Sequence, residues 1–132
     1  MDDRRLLVVD DEPGFCEFVR TVASGFGYEV DVATSAAVFK EAYGAHKPTV
    51  IVLDVVMPDT DGIELINWLV DCKCTAHLVV VTGFTPKYAE LAGKLGEAKG
   101  MRSVSILTKP VKVATLRDAL APDNGGDPAG AP

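Results

Sequence analysis

The feature that most constrains this chain is a buried strand that ends on an acid. Residues Thr49–Leu53 form a nearly unbroken apolar run rich in β-branched side chains, and Asp54 follows directly. Such a run is typical of a strand that is covered on both faces in a parallel sheet. A turn-forming segment rich in Pro, Asp and Gly comes next, at residues 58–62. Open α/β sheets bind their ligands at the carboxyl ends of such strands, although Asp54 alone could simply cap a turn.

The rest of the chain alternates predicted strands and helices, which favours one doubly wound, five-stranded parallel sheet covered on both faces. The alternating polar and apolar residues of Tyr28–Ala33 predict an edge strand with one face in water. The other predicted strands are Arg5–Val9, His77–Thr82 and Ser103–Thr108, and the predicted helices cover residues 13–26, 36–44 (with Ser35 as N-cap), 62–73, 86–99 and 113–121.

Length and composition predict one globular domain. The chain has 132 residues, of which 48% are hydrophobic and 24% charged, as in ordinary soluble domains. Its net charge of −6 argues against a direct nucleic-acid-binding surface. We find no apolar run of membrane-spanning length and no signal peptide, so we expect a cytoplasmic protein without membrane contact. We expect the domain to cover residues 1–121 and a flexible tail or linker, too polar to pack, to cover residues 122–132.

The three cysteines, an odd and irregularly spaced set, predict reduced thiols. Cys72 and Cys74 with nearby His77 could suggest a metal site. Their spacing is poor for one, and we interpret them as helix residues.

Polar residues at the ends of several predicted strands are the candidates for a functional site. Each has a simpler explanation, since an Asp often caps a helix, a Thr can finish a strand and a Lys is usually solvated. Their coincidence at one edge of a parallel sheet favours a shared site instead. The candidates are Asp10, Asp11, Asp54, Thr82 and Lys109.

The chemistry of this set points to a phosphoryl group. Three crowded carboxylates need a cation, and oxygen ligands without His or Cys favour Mg²⁺, which keeps room for a phosphoryl oxygen. Lys109 would add a positive charge and Thr82 a hydroxyl donor. Together they would hold the phosphoryl oxygens while Asp54 attacks the phosphorus, which makes an aspartyl phosphate.

At these residues the chain resembles the receiver (CheY-like) domains of two-component response regulators. The resemblance covers residues 5–121 and implies a flavodoxin-like fold with strand order 2-1-3-4-5. The matching motifs are Asp10-Asp11, Asp54-x-x-Met57-Pro58-x-x-Asp61-Gly62, Thr82 and Lys109-Pro110.

The resemblance also implies roles for individual residues. Asp54 would accept the phosphoryl group from a histidine kinase or a phosphotransfer protein. Asp11, Asp54 and the backbone carbonyl of Val56 would bind Mg²⁺, with Asp10 assisting largely through water. Thr82 and Lys109 would contact the phosphoryl group, and the Lys109–Pro110 peptide bond would be cis.

Ile106 departs from the family pattern, since receivers usually carry Tyr or Phe at this position. A moving aromatic ring therefore cannot report phosphorylation here, and the signal would run through Thr82, Gly83 and the segment that follows. By family analogy the output face comprises residues 86–99, Ser103–Thr108 and residues 113–121, through which a homodimer could also form. The segment between Thr82 and Lys109 is longer than usual, and it looks similar to receivers attached to cyclic-di-GMP phosphodiesterase domains.

Two apolar residues bear on the lifetime of the phosphorylated state. Val56 and Phe84 lie two residues beyond Asp54 and Thr82, positions that flank the path of an attacking water in this fold. Neither side chain can orient water, so we predict slow self-dephosphorylation. The alternative is that Phe84 only packs against the neighbouring helix.

The leading hypothesis is a signalling switch that is not an enzyme toward other substrates. A Mg²⁺-dependent phosphatase with an aspartyl nucleophile is the second, but such enzymes usually carry an acid where this chain has Val56. A flavodoxin-like cofactor binder is the third, and the acids after the first strand would repel the phosphate of FMN.

Overall fold

The computed structural model describes residues 4–54, 56–57, 60–74, 76–82 and 103–120, with backbone only for residues 56–57 and 60–63 and for residue 103. Its main sheet is five-stranded and parallel, with the predicted order 2-1-3-4-5. The strands are β1 (Arg5–Val9), β2 (Glu29–Ala33), β3 (Val50–Asp54), β4 (His77–Thr82) and β5 (Ser103–Thr108). The described helices are α1 (Pro13–Ser24), α2 (Ala36–His46), α3 (Gly62–Asp71) and α4 (Val113–Leu120). The predicted helix at residues 86–99 and the predicted tail at residues 122–132 lie outside the described residues.

Two apolar layers cover the sheet because successive strand residues point to opposite faces. Leu7 and Leu53 face one layer, in which α2 contributes Phe39. Leu6 and Val52 face the other layer with residues of α1 and α4. The central strands β1, β3 and β4 are therefore apolar along both faces, as the sequence predicts for buried strands of a parallel sheet. Four of the five residues of β2 are only partly buried or exposed, which agrees with its place at the sheet edge, but their burial does not alternate as the sequence pattern predicted.

The two helix starts that follow β1 and β2 differ in their capping. Ser35 caps α2, because its hydroxyl accepts the backbone N–H of Val38 at 3.3 Å. Glu12 occupies the N-cap position of α1, but its side chain makes no capping hydrogen bond. Its side chain is used elsewhere, as described below.

The carboxyl end of β3 leads into a short antiparallel hairpin of Val56–Met57 and Thr60–Asp61, which precedes α3. β3 itself extends one residue beyond the predicted run, because Asp54 pairs in register with Val81 of β4. The acid is thus the last residue of the strand and is fixed by the ladder.

The three cysteines are free thiols, of which Cys16 and Cys74 are buried and Cys72 is exposed. In the described part of the chain, no group of three potential metal ligands includes a cysteine or a histidine. Within the same residues, none of the helices has the length and apolar character needed to span a bilayer.

Candidate functional site

Three carboxylates meet at the carboxyl ends of β1 and β3. Val9 pairs with Leu53 in the parallel ladder, so Asp10 and Asp54 lie next to each other at the same edge. Asp10 is fully buried, Asp54 is 5% exposed and Asp11 is exposed. Each of the three offers a carboxylate oxygen that lies within 4.8 Å of the others. The geometry therefore creates the acidic cluster that the sequence predicts.

Lys109 brings one positive charge to this cluster from beyond the end of β5. Its backbone N–H donates to the carbonyl of Thr82 at 2.8 Å, which fixes the start of its side chain. Its Nζ lies 2.9 Å from Oδ2 of Asp10 and 3.6 Å from Oδ2 of Asp54. The Lys109–Pro110 peptide bond is cis, as the family resemblance led us to expect.

The backbone around Asp10 holds its carboxylate in one orientation. Oδ1 accepts the backbone N–H of Glu12 at 2.9 Å. The backbone N–H of Asp10 donates to the carbonyl of Ala33 at 3.1 Å, and its carbonyl accepts the thiol of Cys16 at 3.5 Å. Oδ2 is buried and pairs with the ammonium of Lys109 at 2.9 Å.

Burial and charge shift the pKa values of these groups in opposite directions. Burial raises the pKa of Asp10, although Lys109 and the N–H of Glu12 act to lower it. Burial alone would lower the pKa of Lys109, but its contacts with Glu12, Asp10 and Asp54 outweigh that cost and raise it. Lys109 is therefore a permanent ammonium, and Asp10 would gain from more positive charge nearby.

The donor set fits a hard divalent cation. Only carboxylate oxygens converge in the cluster, and neither His nor Cys belongs to it. Lys109 pairs with both buried acids, and a cation would further relieve their repulsion and their desolvation. Asp10, Asp11 and Asp54 are the side chains that would hold it.

The remaining candidates of the sequence analysis divide into two groups. Thr82 is fully buried at the end of β4 and follows Val81, the residue that pairs with Asp54. Val56 begins the short hairpin directly beyond β3. Gly83 and Phe84 lie outside the described residues.

Two residues that contact Lys109 were not among the candidate site residues of the sequence analysis. Glu12 Oε1 lies 2.7 Å from Nζ, and the ring centroid of Phe15 lies 4.6 Å from it. The sequence did hold a signal for Glu12, because it is the third of three consecutive acids after β1. The helical pattern indicated only that Phe15 belongs to an apolar face.

The fold and this site define the class of protein: the chain belongs to the response regulator receiver domain family, which it matches over residues 6–121. It is 24% identical over 120 residues to sporulation initiation phosphotransferase F of Bacillus subtilis. This match covers 91% of this chain and 93% of that protein. It is 30% identical over 118 residues to a probable cyclic di-GMP phosphodiesterase of Vibrio cholerae, covering 87% of this chain and 25% of that protein.

A solved structure gives the same fold. The crystal structure of a response regulator from Colwellia psychrerythraea superimposes with a TM-score of 0.74 at 27% identity, covering 90% of this chain and 94% of that chain. In contrast, the chain spans only 61% and 27% of the length of two further curated relatives.

Proposed function

We propose that this chain is a phosphorylation-controlled signalling switch in which Asp54 is the phosphoacceptor. The observation that carries the proposal is the convergence of Asp10, Asp11 and Asp54, whose carboxylate oxygens lie within 4.8 Å of one another. Lys109 Nζ stands 3.6 Å from Asp54 Oδ2, close enough to contact a phosphoryl oxygen on that carboxylate. The nucleophile Asp54 thus has both a cation site and an ammonium beside it.

In the proposed reaction a carboxylate oxygen of Asp54 forms a bond to phosphorus while the bond from phosphorus to the donor breaks. The donor leaves with the electron pair of that bond. Asp10, Asp11, Asp54 and the backbone carbonyl of Val56 would hold Mg²⁺, which would supply positive charge to the oxygens of the phosphoryl group. A carboxylate that attacks in its ionised form has no proton to lose, so no general base is required.

Lys109 and Thr82 would hold the phosphoryl oxygens after transfer. Lys109 can do so as an ammonium, since its carboxylate neighbours raise its pKa. Thr82 stands at the end of β4, and Gly83 follows it in the chain. A pull on Thr82 would pass to Gly83 and bias a pre-existing equilibrium between two conformations.

We further propose that the phosphoryl group comes from a histidine kinase or a phosphotransfer protein in the cytoplasm. Membership of the receiver family supports such a partner. The similarity to part of a probable cyclic di-GMP phosphodiesterase supports an effector domain of that kind as the output. In this proposal residues 1–121 form the receiver and residues 122–132 form a tail or linker.

The proposed output face comprises residues 86–99, β5 and α4. Ile106 of β5 is 41% exposed and Val113 of α4 is 49% exposed, which are large values for apolar side chains. Their exposure supports this face as the surface for a homodimer or an effector. Signal output there would not use an aromatic ring, because Ile106 takes the usual aromatic position.

Intact-mass measurement with acetyl phosphate and Mg²⁺ tests the switch. The wild-type protein should gain one phosphoryl group, and Asp54→Asn should gain none. Incubation with a generic phosphate ester separates a switch from a phosphatase: we expect no sustained turnover. Turnover that continues past one equivalent, or labelling that survives in Asp54→Asn, would contradict the proposal.

The lifetime of the label tests the proposed roles of Val56 and Phe84. We expect slow loss of the phosphoryl group, accelerated in Phe84→Ala and in Val56→Asn because water gains access or orientation. Unchanged decay in both variants would show that these side chains do not shield the site.

A further inference from the structure

We propose that Glu12 is a positioning residue that holds the Lys109 amine at the solvent side of the acidic cluster and so limits its competition with a divalent cation. Glu12 Oε1 makes the shortest of the three ion-pair contacts of Nζ, at 2.7 Å against 2.9 Å to Asp10 and 3.6 Å to Asp54. This inference rests on the cation site of the proposed function.

The side chain of Glu12 contacts Lys109 and does not cap its own helix. It stands at the N-cap of α1 but makes no capping hydrogen bond, and it is 64% exposed. Its backbone N–H donates to Oδ1 of Asp10 at 2.9 Å, which ties its position to the cluster. The bond to Lys109 spans 97 residues of sequence and joins the segment after β1 to the segment after β5.

Glu12 stands apart from the cation ligands. The three acids whose oxygens converge are Asp10, Asp11 and Asp54, and Glu12 is not one of them, although the structure describes its side chain. When a cation occupies those oxygens, it repels the ammonium of Lys109. Glu12 is then the carboxylate that remains available to keep the amine close to the site.

The amine is enclosed on its other sides. Its side chain is only 18% exposed, and the ring of Phe15 lies 4.6 Å from Nζ. If Glu12 released it, the nearest remaining carboxylates would be those of Asp10 and Asp54. The amine would then move toward the acids that a cation needs, and cation binding would weaken.

Two substitutions at the same position separate contact from charge. Glu12→Gln removes the charge and the ion pair. Glu12→Asp keeps the charge but shortens the side chain, and an Asp at the N-cap position prefers to accept the first N–H groups of the helix. Glu17→Gln is the matched control, since Glu17 is an exposed acid of α1 that pairs with Arg20 at 3.3 Å and is not among the three acids that contact Nζ of Lys109.

The test is a Mg²⁺ titration of the full chain, followed by backbone amide NMR shifts, with thermal unfolding to establish that each variant is folded. We expect both Glu12 variants to bind Mg²⁺ about two- to fivefold more weakly, the range for an exposed ion pair, with Glu12→Gln the weaker. Glu17→Gln should match the wild type.

Wild-type affinity in Glu12→Asp would overturn the inference, since charge alone would then explain Glu12→Gln. Equal affinity in all four proteins would overturn it as well. A wild-type protein that binds no Mg²⁺ would instead overturn the cation site of the proposed function and, with it, this inference. The two failures are therefore distinguishable.

Discussion

The interior of the sheet and its carboxyl edge are built from the same strands, but burial stabilises the interior and costs free energy at the edge. Val9 and Leu53 are fully buried and apolar, while the very next residues are Asp10 and Asp54. Among the residues that the structure describes, the buried polar side chains are these two acids and Thr82, and all three stand at or directly after strand ends. One step along the chain separates stabilising burial from burial that costs free energy.

The difference has a simple energetic cause. Each apolar side chain in the interior gains from leaving water, at about 25 cal/mol per Å². A buried carboxylate loses hydration and recovers it only through partners. At this edge Lys109 is the ammonium within 4 Å of both buried acids. The edge therefore favours binding of further positive charge. Burial of its carboxylates costs free energy, which apolar burial in the interior offsets.

The largest expected effect comes from the interior. Leu53→Ala should lower the free energy of unfolding by about 2–5 kcal/mol, because it leaves a cavity in a layer that includes Phe39. Urea denaturation in EDTA measures it. A loss below 1 kcal/mol would mean that the interior is not close-packed around this strand.

The next effect comes from the edge. At a Mg²⁺ concentration of about 100 times the dissociation constant, binding should stabilise the wild-type protein by about 2.7 kcal/mol. Asp11→Asn should lose most of this gain, since it removes one of the three converging carboxylates. Thermal unfolding with and without EDTA gives both values. Equal stabilisation of both proteins would place the cation elsewhere.

Two helix starts at this edge sharpen the comparison. Ser35→Ala should cost about 1 kcal/mol, because the hydroxyl caps α2. Glu12→Ala should cost less, because Glu12 makes no cap bond to α1. Urea denaturation of both variants in EDTA tests the order, and a larger loss for Glu12→Ala would show that its pairing with Lys109 stabilises the fold.

The smallest effect is at Asp10. Burial raises its pKa, so its ionised form is costly in the absence of a cation. Asp10→Asn keeps an oxygen acceptor for the N–H of Glu12 and should leave stability in EDTA unchanged or raise it by at most about 1 kcal/mol. A clear loss in the same denaturation experiment would mean that the ion pair with Lys109 outweighs the burial cost.

Sequence alone predicts the sheet well because its strands are apolar runs with polar ends. The bounds of β1, β4 and β5 agree with the predicted strands, and parallel pairing then brings the acids together. The end of α2 was predicted near Gly44, whereas the helix continues to His46 and Lys47 adopts the left-handed conformation, with φ of 52°. Glycine is favoured at such a position but not required there.

The contact between Glu12 and Lys109 could not be predicted in the same way. It depends on how far the Lys109 side chain reaches from β5 toward β1, across the two strands that lie between them. No local pattern encodes that distance. Pattern reasoning therefore identified the acids fixed by strand ends, and it missed the partner fixed by the path of a long side chain.

The most direct test of the central claim is the chemical location of the phosphoryl group. Borohydride reduces an aspartyl phosphate to homoserine, which peptide mass spectrometry can assign to one residue. After treatment with acetyl phosphate and Mg²⁺, we predict homoserine at position 54 and at no other acid of the cluster. Homoserine at Asp10 or Asp11 instead, or none at all in protein that binds Mg²⁺, would contradict the account.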